Sequence, residues 1–273
     1  MSAVTAKAAA KINLFLHVGD KRADGFHALQ SLAVFAEVGD VLELHPSQEL
    51  SLAVRGPFAA GLSAEGDNLV LKAARALKAT AEIVLTKNLP VASGIGGGSA
   101  DAAAVLRALS DLPREALLEI AASIGSDVPV CVASEPAWME GRGEMLTLVE
   151  GVPPMPMLLV NPGVGVSTAD VFRALKTRRG TDLRRPERFG GAEELLQFLQ
   201  ATANDLEAPA LAIQPVIADV LREIGNADAL LARMSGSGAT CFGLFESEER
   251  VARAAKAISA VHPNWWVCAT RIA

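Results

Sequence analysis

The feature that most constrains this chain is Pro90-Val-Ala-Ser-Gly-Ile-Gly-Gly-Gly-Ser99, which runs directly into Ala100-Asp-Ala-Ala-Ala-Val-Leu-Arg-Ala-Leu109. Four of the five residues from Gly94 to Gly98 are glycine. Behind them Ala102, Val105, Leu106 and Leu109 recur at the i, i+3, i+4, i+7 spacing of an amphipathic helix. Ahead of them residues 82–86 read as a strand. Strand, glycine loop and helix together leave backbone N–H groups unpaired at a helix N-terminus, where the helix dipole adds positive potential. Such a place suits an anion, above all a polyphosphate. The competing reading is a flexible linker, and the flanking strand and helix weigh against it.

A chain of 273 residues has room for one large domain or two ordinary ones. With 51% hydrophobic and 21% charged residues it has the composition of a globular protein. The net charge of -6 gives no overall electrostatic reason to expect nucleic acid or an acidic membrane as partner. Cys131, Cys241 and Cys268 lie far apart without a CxxC spacing, as small buried hydrophobes of a reducing compartment do. Lys7 and Lys11 interrupt the apolar N-terminal stretch, so no signal-peptide core is expected, and no apolar run is long enough to span a bilayer. The expected location is the cytoplasm.

Along the chain, residues 10–18 alternate as a strand, with Ile12, Leu14, Leu16 and Val18 on an apolar side and Lys11, Asn13, Phe15 and His17 opposite. A charged turn, 19–25, leads to Phe26, His27 and further strands at 29–35, 41–44 and 50–54. Asp67 is placed to cap a helix carrying Leu69, Val70, Ala73 and Leu77. After the glycine loop, a helix over 114–124 stops at Gly125 as its C′ residue. Ser126 then caps a short apolar continuation to residue 132, and 145–149 reads as a strand. Pro153, Pro154 and Pro156 mark a boundary between domains 1–153 and 154–273. Beyond it come a strand at 157–160, a helix at 169–175 opened by Ser167 and Thr168, and a mobile basic loop at 176–191. Helices at 192–199, 215–224 and 227–232 precede a second small-residue loop, Ser235-Gly-Ser-Gly-Ala-Thr240. A strand at 241–245, a helix at 248–259 and a strand at 266–272 complete the chain. The irregular mixture of strands and helices argues an α+β fold in both halves.

Familiar glycine motifs are excluded letter by letter. No lysine follows Gly98 as a P-loop requires. Ser99 stands where a dinucleotide fingerprint needs its third glycine, and Cys241 does so after Gly236 and Gly238. Protein-kinase signatures are absent. The loop instead resembles the central phosphate-binding motif of the galactokinase, homoserine kinase, mevalonate kinase and phosphomevalonate kinase (GHMP) superfamily. In the expected order stand Ala10-Lys-Ile-Asn-Leu-Phe-Leu16, Arg22-Ala-Asp-Gly-Phe-His27, Gly125-Ser-Asp-Val-Pro-Val130, Asn161-Pro-Gly163 and Ser235-Gly-Ser-Gly-Ala-Thr240. This ordered set is similar to that of the 4-diphosphocytidyl-2-C-methyl-D-erythritol kinases, enzymes of the non-mevalonate isoprenoid pathway.

The resemblance implies a two-domain GHMP kinase fold, its N-terminal domain like one found in a ribosomal protein and its C-terminal domain ferredoxin-like. It implies transfer of phosphate from ATP to the 2-hydroxyl of the methylerythritol moiety. Onto the ATP-binding positions fall Pro90, Val91, Ala92, Ser93, Gly94, Ile95, Gly96, Gly97, Gly98, Ser99 and Ala100, with Asn68 and Lys87 beside the adenine. Lys11 and Asp127 fall on the catalytic positions. Asn13, Phe26, His27, Thr168, Gly236 and Gly238 fall on substrate positions. Asp127 would accept the proton of the attacking hydroxyl; read without the resemblance, it is equally a capping carboxylate at a helix N-terminus. Lys11 would pair with Asp127 and the incoming phosphate, and Phe26 offers a flat face to a pyrimidine. Mg2+ is expected with ATP, with Ser99 the one oxygen proposed as its ligand. Ala92 and Ser93 stand where family members often have glycine, and Phe26 where many have tyrosine. A homoserine or mevalonate type of kinase, or a non-catalytic nucleotide- or nucleic-acid-binding protein, remains the alternative. No nucleic-acid or membrane partner is expected, and the chain is read as a monomer or homodimer.

Overall fold

The computed structural model describes residues 3–60, 62 and 67–273. Packing divides the chain into two compact units that interleave along the sequence. The first holds Met1–Lys11, Val38–Val91 and Gly96–Ser134; the second holds Ile12–Glu37, Ala92–Ile95 and Glu135–Ala273. These units differ from the linear halves read at residues 153–154. The reason is strand length: β1 (Val4–Lys21) and β2 (His27–Pro46) each begin in one unit and end in the other. The segments expected at 29–35 and 41–44 are thus one strand. At Gly39 a Cβ would lie 2.3 Å from the carbonyl oxygen of Ala8, so glycine is what lets the two backbones run this close. The alternation read over 10–18 also misses the burial, because both faces of β1 are covered from Ala10 to Val18.

In the first unit β3 (Ser51–Arg55) pairs in parallel with β4 (Ala81–Thr86), and β4 pairs antiparallel with the end of β2, Val41 opposite Thr86. Helix α1 (Leu69–Ala76) begins at Asn68, not Asp67: the Asn68 side chain accepts from the Val70 N–H at 2.9 Å, while Asp67 pairs with Lys72. Helix α2 (Gly97–Ala108) is buried all round from Ala100 to Leu106, not along a single stripe. Its alanines let α1 and α4 (Val128–Ala133) pack closely upon it. Between them α3 (Arg114–Ile124) occupies the expected span. Its cap, Gly125, has φ -178, extended backbone open to any residue and not the left-handed C′ geometry expected.

In the second unit the start of β2 pairs antiparallel with β5 (Ala137–Gly141), which forms a hairpin with β6 (Met145–Leu148). A separate antiparallel sheet has the order β10-β7-β9-β8, from β7 (Pro156–Asn161), β8 (Leu231–Met234), β9 (Cys241–Leu244) and β10 (Trp266–Arg271). Helices α5 (Thr168–Ala174), α6 (Ala192–Gln200), α7 (Glu207–Ile213), α8 (Val216–Asn226) and α9 (Glu248–Val261) complete it. Ile217, Val220 and Ile224 of α8, with Val251, Ala254 and Ile258 of α9, form one core with Leu158 and Val160 of β7. The helix expected over 227–232 does not form. Its last residues belong to β8, where Leu231 faces Leu244 and Met234 faces Cys241, and ladder pairing outweighs a short helical pattern. The basic segment 176–191 has no helix or strand, yet it is held. Gln30 bonds both the N–H and the C=O of Leu183, Trp138 donates to Pro186 O, and Phe189 is buried.

In this unit β1 presents an outer edge whose polar groups must be met although the strand is buried. The Leu16 N–H donates to Ala203 O and its C=O accepts from Asp205 N; the Val18 N–H donates to the Asp205 carboxylate and its C=O accepts from Gly180 N. Leu14 O accepts from Arg233. That guanidinium, 7% exposed, also donates to Leu199 O and to the O and Oγ1 of Thr202, where α6 ends. It thereby sits at the negative pole of a helix, among carbonyls. Burial lowers its pKa to about 10 against the opposing pull of Glu207. Arg233→Met should cost roughly 2–4 kcal/mol, since each buried carbonyl left unmatched costs about 1–3. Urea unfolding followed by circular dichroism checks this; a loss below about 0.5 kcal/mol would contradict the account.

Candidate active site

Within the first unit, α2 begins without a side-chain cap. Gly96, at φ +62, occupies the N-cap, no acidic residue lies in the first turn, and the first bond closing onto the cap is Ala100 N to Gly96 O. The N–H groups of Gly97, Gly98 and Ser99 therefore have no partner inside the helix. Beside them stands an ion pair. Lys11 Nζ donates to Asp127 Oδ2 at 2.8 Å, with the lysine side chain 4% exposed and the aspartate 34%. Asp127 holds the N-cap position of α4 but makes no side-chain cap bond, so the capping reading of this carboxylate fails and its charge is directed at Lys11. A Cβ on Gly96 would lie 3.2 Å from Lys11 Cε and 3.9 Å from Asp127 Oδ2, so loop, cation and carboxylate share one small volume. Cys131, one turn further along α4, is inert: burial pushes its thiol up to about 12.

Lys87, expected beside the adenine, has its side chain turned into the first unit. It is 3% exposed, and its ammonium bridges Asp40 and Asp101 (2.8 Å to the latter). Its backbone is also engaged, the N–H donating to Arg55 O and the C=O accepting from Phe58 N. Asp40 further accepts from the N–H groups of Asn88 and Leu89. This triad joins the chain just before the glycine loop to the helix just after it. Burial works against the Lys87 charge, but the two carboxylates outweigh it and raise its pKa. Asp101 goes the other way: burial, reinforced by Asp40 and opposed by Lys87, pushes its carboxyl up to about 7. Its Oδ1 has no hydrogen-bond partner. Asn68, the other residue expected at the adenine, has its side-chain oxygen committed to capping α1.

The second unit gathers the expected substrate residues. Asn13 is buried, its Nδ2 donating to Ser31 Oγ at 2.8 Å. Phe26 is 53% exposed, so it is no core residue, and the Arg142 guanidinium lies 5.4 Å from its ring centroid. His27 Nδ1 donates to Gly19 O, and its ring stacks on Phe172 of α5 at 5.7 Å. Thr168 Oγ1 lies 2.8 Å from Ser237 Oγ. Here too the tip of the glycine loop meets the second loop. Thr240 N donates to Ser93 O, and a Cβ on Gly94 (φ +76) would fall 2.4 Å from Ser235 O. A Cβ on Gly236 would fall 2.7 Å from Gly94 O. The bareness of Gly94 and Gly236 thus serves contact between the loops. Ala92 adopts φ +50, a left-handed strain of about 1–2 kcal/mol. Phe172 and Arg142 escaped the sequence reading, since nothing in their local pattern distinguishes them, and Ser235 was read only as the first residue of the second small-residue loop.

Two family models match the chain: "GHMP kinases N terminal domain" over residues 68–135 and "GHMP kinases C terminal" over 174–264. The α+β fold agrees with this class. A homoserine kinase from Cytophaga hutchinsonii superposes with a TM-score of 0.68 at 17% identity, over all of this chain and 95% of the other, a likeness of fold. Relatives narrow the class. The 4-diphosphocytidyl-2-C-methyl-D-erythritol kinase of Paracoccus denitrificans is 52% identical over 97% of this chain and 96% of its own. That of Ruegeria pomeroyi is 51% identical over 99% of both. A crystal structure of 4-(cytidine 5'-diphospho)-2C-methyl-D-erythritol kinase has a TM-score of 0.77 at 31% identity, covering 99% of this chain and 100% of the other. The chain belongs to the 4-diphosphocytidyl-2-C-methyl-D-erythritol kinase family.

The buried triad has a pH signature. Folding raises the Asp101 pKa from 3.8 to about 7, so the folded state binds the extra proton and stability falls as pH rises between those values. Asp101→Asn removes that loss. It should raise the melting temperature at pH 8, with a gain that shrinks as pH falls from 7 towards 4. Thermal melts across this range check it, and a gain independent of pH would refute it.

Proposed function

We propose that this chain transfers the γ-phosphoryl group of ATP to the 2-hydroxyl of 4-diphosphocytidyl-2-C-methyl-D-erythritol, giving the 2-phosphate and ADP. The observation that carries the proposal is the Lys11–Asp127 pair beside an uncapped glycine-loop helix, in a chain about half identical to kinases of that name. The N–H groups of Gly97, Gly98 and Ser99 are assigned to the phosphates, within the binding stretch 90–100. In phosphoryl transfer the protein mostly positions reactants and neutralises charge. Asp127 takes the proton as the hydroxyl oxygen attacks the γ-phosphorus and ADP leaves. Lys11 holds that carboxylate in place and offsets negative charge on the group in flight.

Phe26 and His27 are assigned to the cytidyl moiety, Phe26 through its exposed face and His27 with its ring orientation set by Gly19 and Phe172. Asn13, Thr168, Gly236 and Gly238 are assigned to the remainder of the substrate. Among the described residues no group of three or more His, Cys, Asp or Glu gathers to hold a metal. Mg2+ borne by a triphosphate keeps several waters and needs only one or two protein oxygens, a demand the half-buried Ser99 hydroxyl fits. When bound, the ion would neutralise phosphate charge. The family models lie on either side of residues 153–154, which supports keeping that division as the domain boundary. No helix of the described residues is long and apolar enough to cross a membrane; the three unpaired cysteines support a reducing cytoplasm as the compartment.

An ADP-release assay with the cytidyl substrate, mevalonate and homoserine tests the reading. Turnover should be confined to the cytidyl compound, and turnover of either other alcohol without it would overturn the assignment. Asp127→Asn should lower kcat by roughly 10²–10⁴-fold with the fold intact. A near-normal rate would reduce Asp127 to a positioning role.

A further inference from the structure

Ser235 is fully buried in the turn that opens the second small-residue loop, its N–H donating to Thr240 O and its C=O accepting from Gly238 N. Its hydroxyl makes two further bonds that have nothing to do with closing that turn. It accepts from the Asn13 N–H of β1 at 3.1 Å and donates to Gly94 O of the glycine loop at 3.0 Å. A serine hydroxyl has one proton to give and lone pairs to accept with, and both bonds use it in the correct sense. Asn13 lies two residues along the strand from Lys11, and Gly94 two residues before the Gly96 cap of α2. The Thr240–Ser93 bond and the close approach of Gly94 to Gly236 also hold the loop tip, but neither reaches β1.

We propose that Ser235 is a positioning residue for phosphoryl transfer, its hydroxyl holding the acceptor strand at Asn13 and the donor loop at Gly94 in one fixed register. This rests on the assignment of Asn13 to the substrate and of the loop to ATP. What changes when the hydroxyl is lost is the registration of Gly94 against Asn13. Misplacement of about 1 Å costs on the order of 10²-fold in rate with little change in binding. The defect belongs in kcat, not in KM.

The test is steady-state kinetics of Ser235→Ala with whichever alcohol the wild-type enzyme phosphorylates, so that failure of the substrate assignment shows in the wild type alone. The expected result is a fall in kcat of about 10- to 100-fold, with KM for ATP and for the alcohol within about threefold. Thr202→Val is the comparison: it removes another buried hydroxyl of the same unit, which donates to Leu199 O and accepts from Arg233. It should lower the melting temperature while leaving kcat within about threefold. If Ser235→Ala does not fold, Ser235→Cys, which keeps a weak donor, is read for a kcat loss of at least about threefold at unchanged KM. An unaltered kcat in the folded variant, a rise in KM that accounts for the whole defect, or an equal kcat loss in Thr202→Val would each overturn the proposal.

Discussion

The outer edge of β1 is the constraint on which much of the second unit depends. A strand buried on both faces cannot leave backbone N–H and C=O groups to water, and among the described residues its one strand neighbour is β2. The missing ladder is assembled from pieces: Arg233 on Leu14, the 203–205 turn on Leu16 and Val18, and Gly180 on Val18. Satisfying this edge therefore dictates where α6 ends, why a basic segment without regular structure is held down, and why β8 carries an arginine. Lys11 and Asn13 lie along the same strand.

Three buried cations show how differently one cost can be met. Lys11 has a carboxylate that remains a third exposed, which leaves that carboxylate within reach of a proton donor. Lys87 has two carboxylates sealed from solvent, which makes it a cross-link between residues 40 and 101. Arg233 is bonded to carbonyls and a hydroxyl at a helix end, where the backbone dipole stands in for a counter-ion. Burial penalises the charged form in each setting, and the geometry of the compensation separates a chemical role from a structural one.

The glycines carry a similar lesson. Gly96 leaves an uncapped helix start against Lys11, while Gly94 and Gly236 are bare because two loops meet backbone to backbone. A glycine-rich motif in an ATP-binding family thus combines positions that clear space for a ligand with positions that clear space for the protein itself. Ser235 fills the point where the second kind meets the strand.

Much of the chemistry was legible in the sequence. The glycine loop with its helix, the span of α3 and the exclusion of other nucleotide motifs follow from residue type and short spacing, whereas the choice of Lys11 and Asp127 is what the resemblance to the GHMP kinases implies. Left-handed glycines, helix starts and apolar periods are set by sterics and hydrogen bonds within a few residues. Tertiary structure alone decided what each polar group meets. It turned Lys87 inward, joined two expected strands into β2, drew 231–234 into a ladder, and fastened 176–191. It also made Ser235 a junction between residues 13 and 94. Several of those outcomes depend on distant partners, such as Asp40 for Lys87, 47 positions away, and Asn13 for Ser235, 222 positions away. Which distant groups will be buried together is a property of the packed chain, and no local pattern carries it.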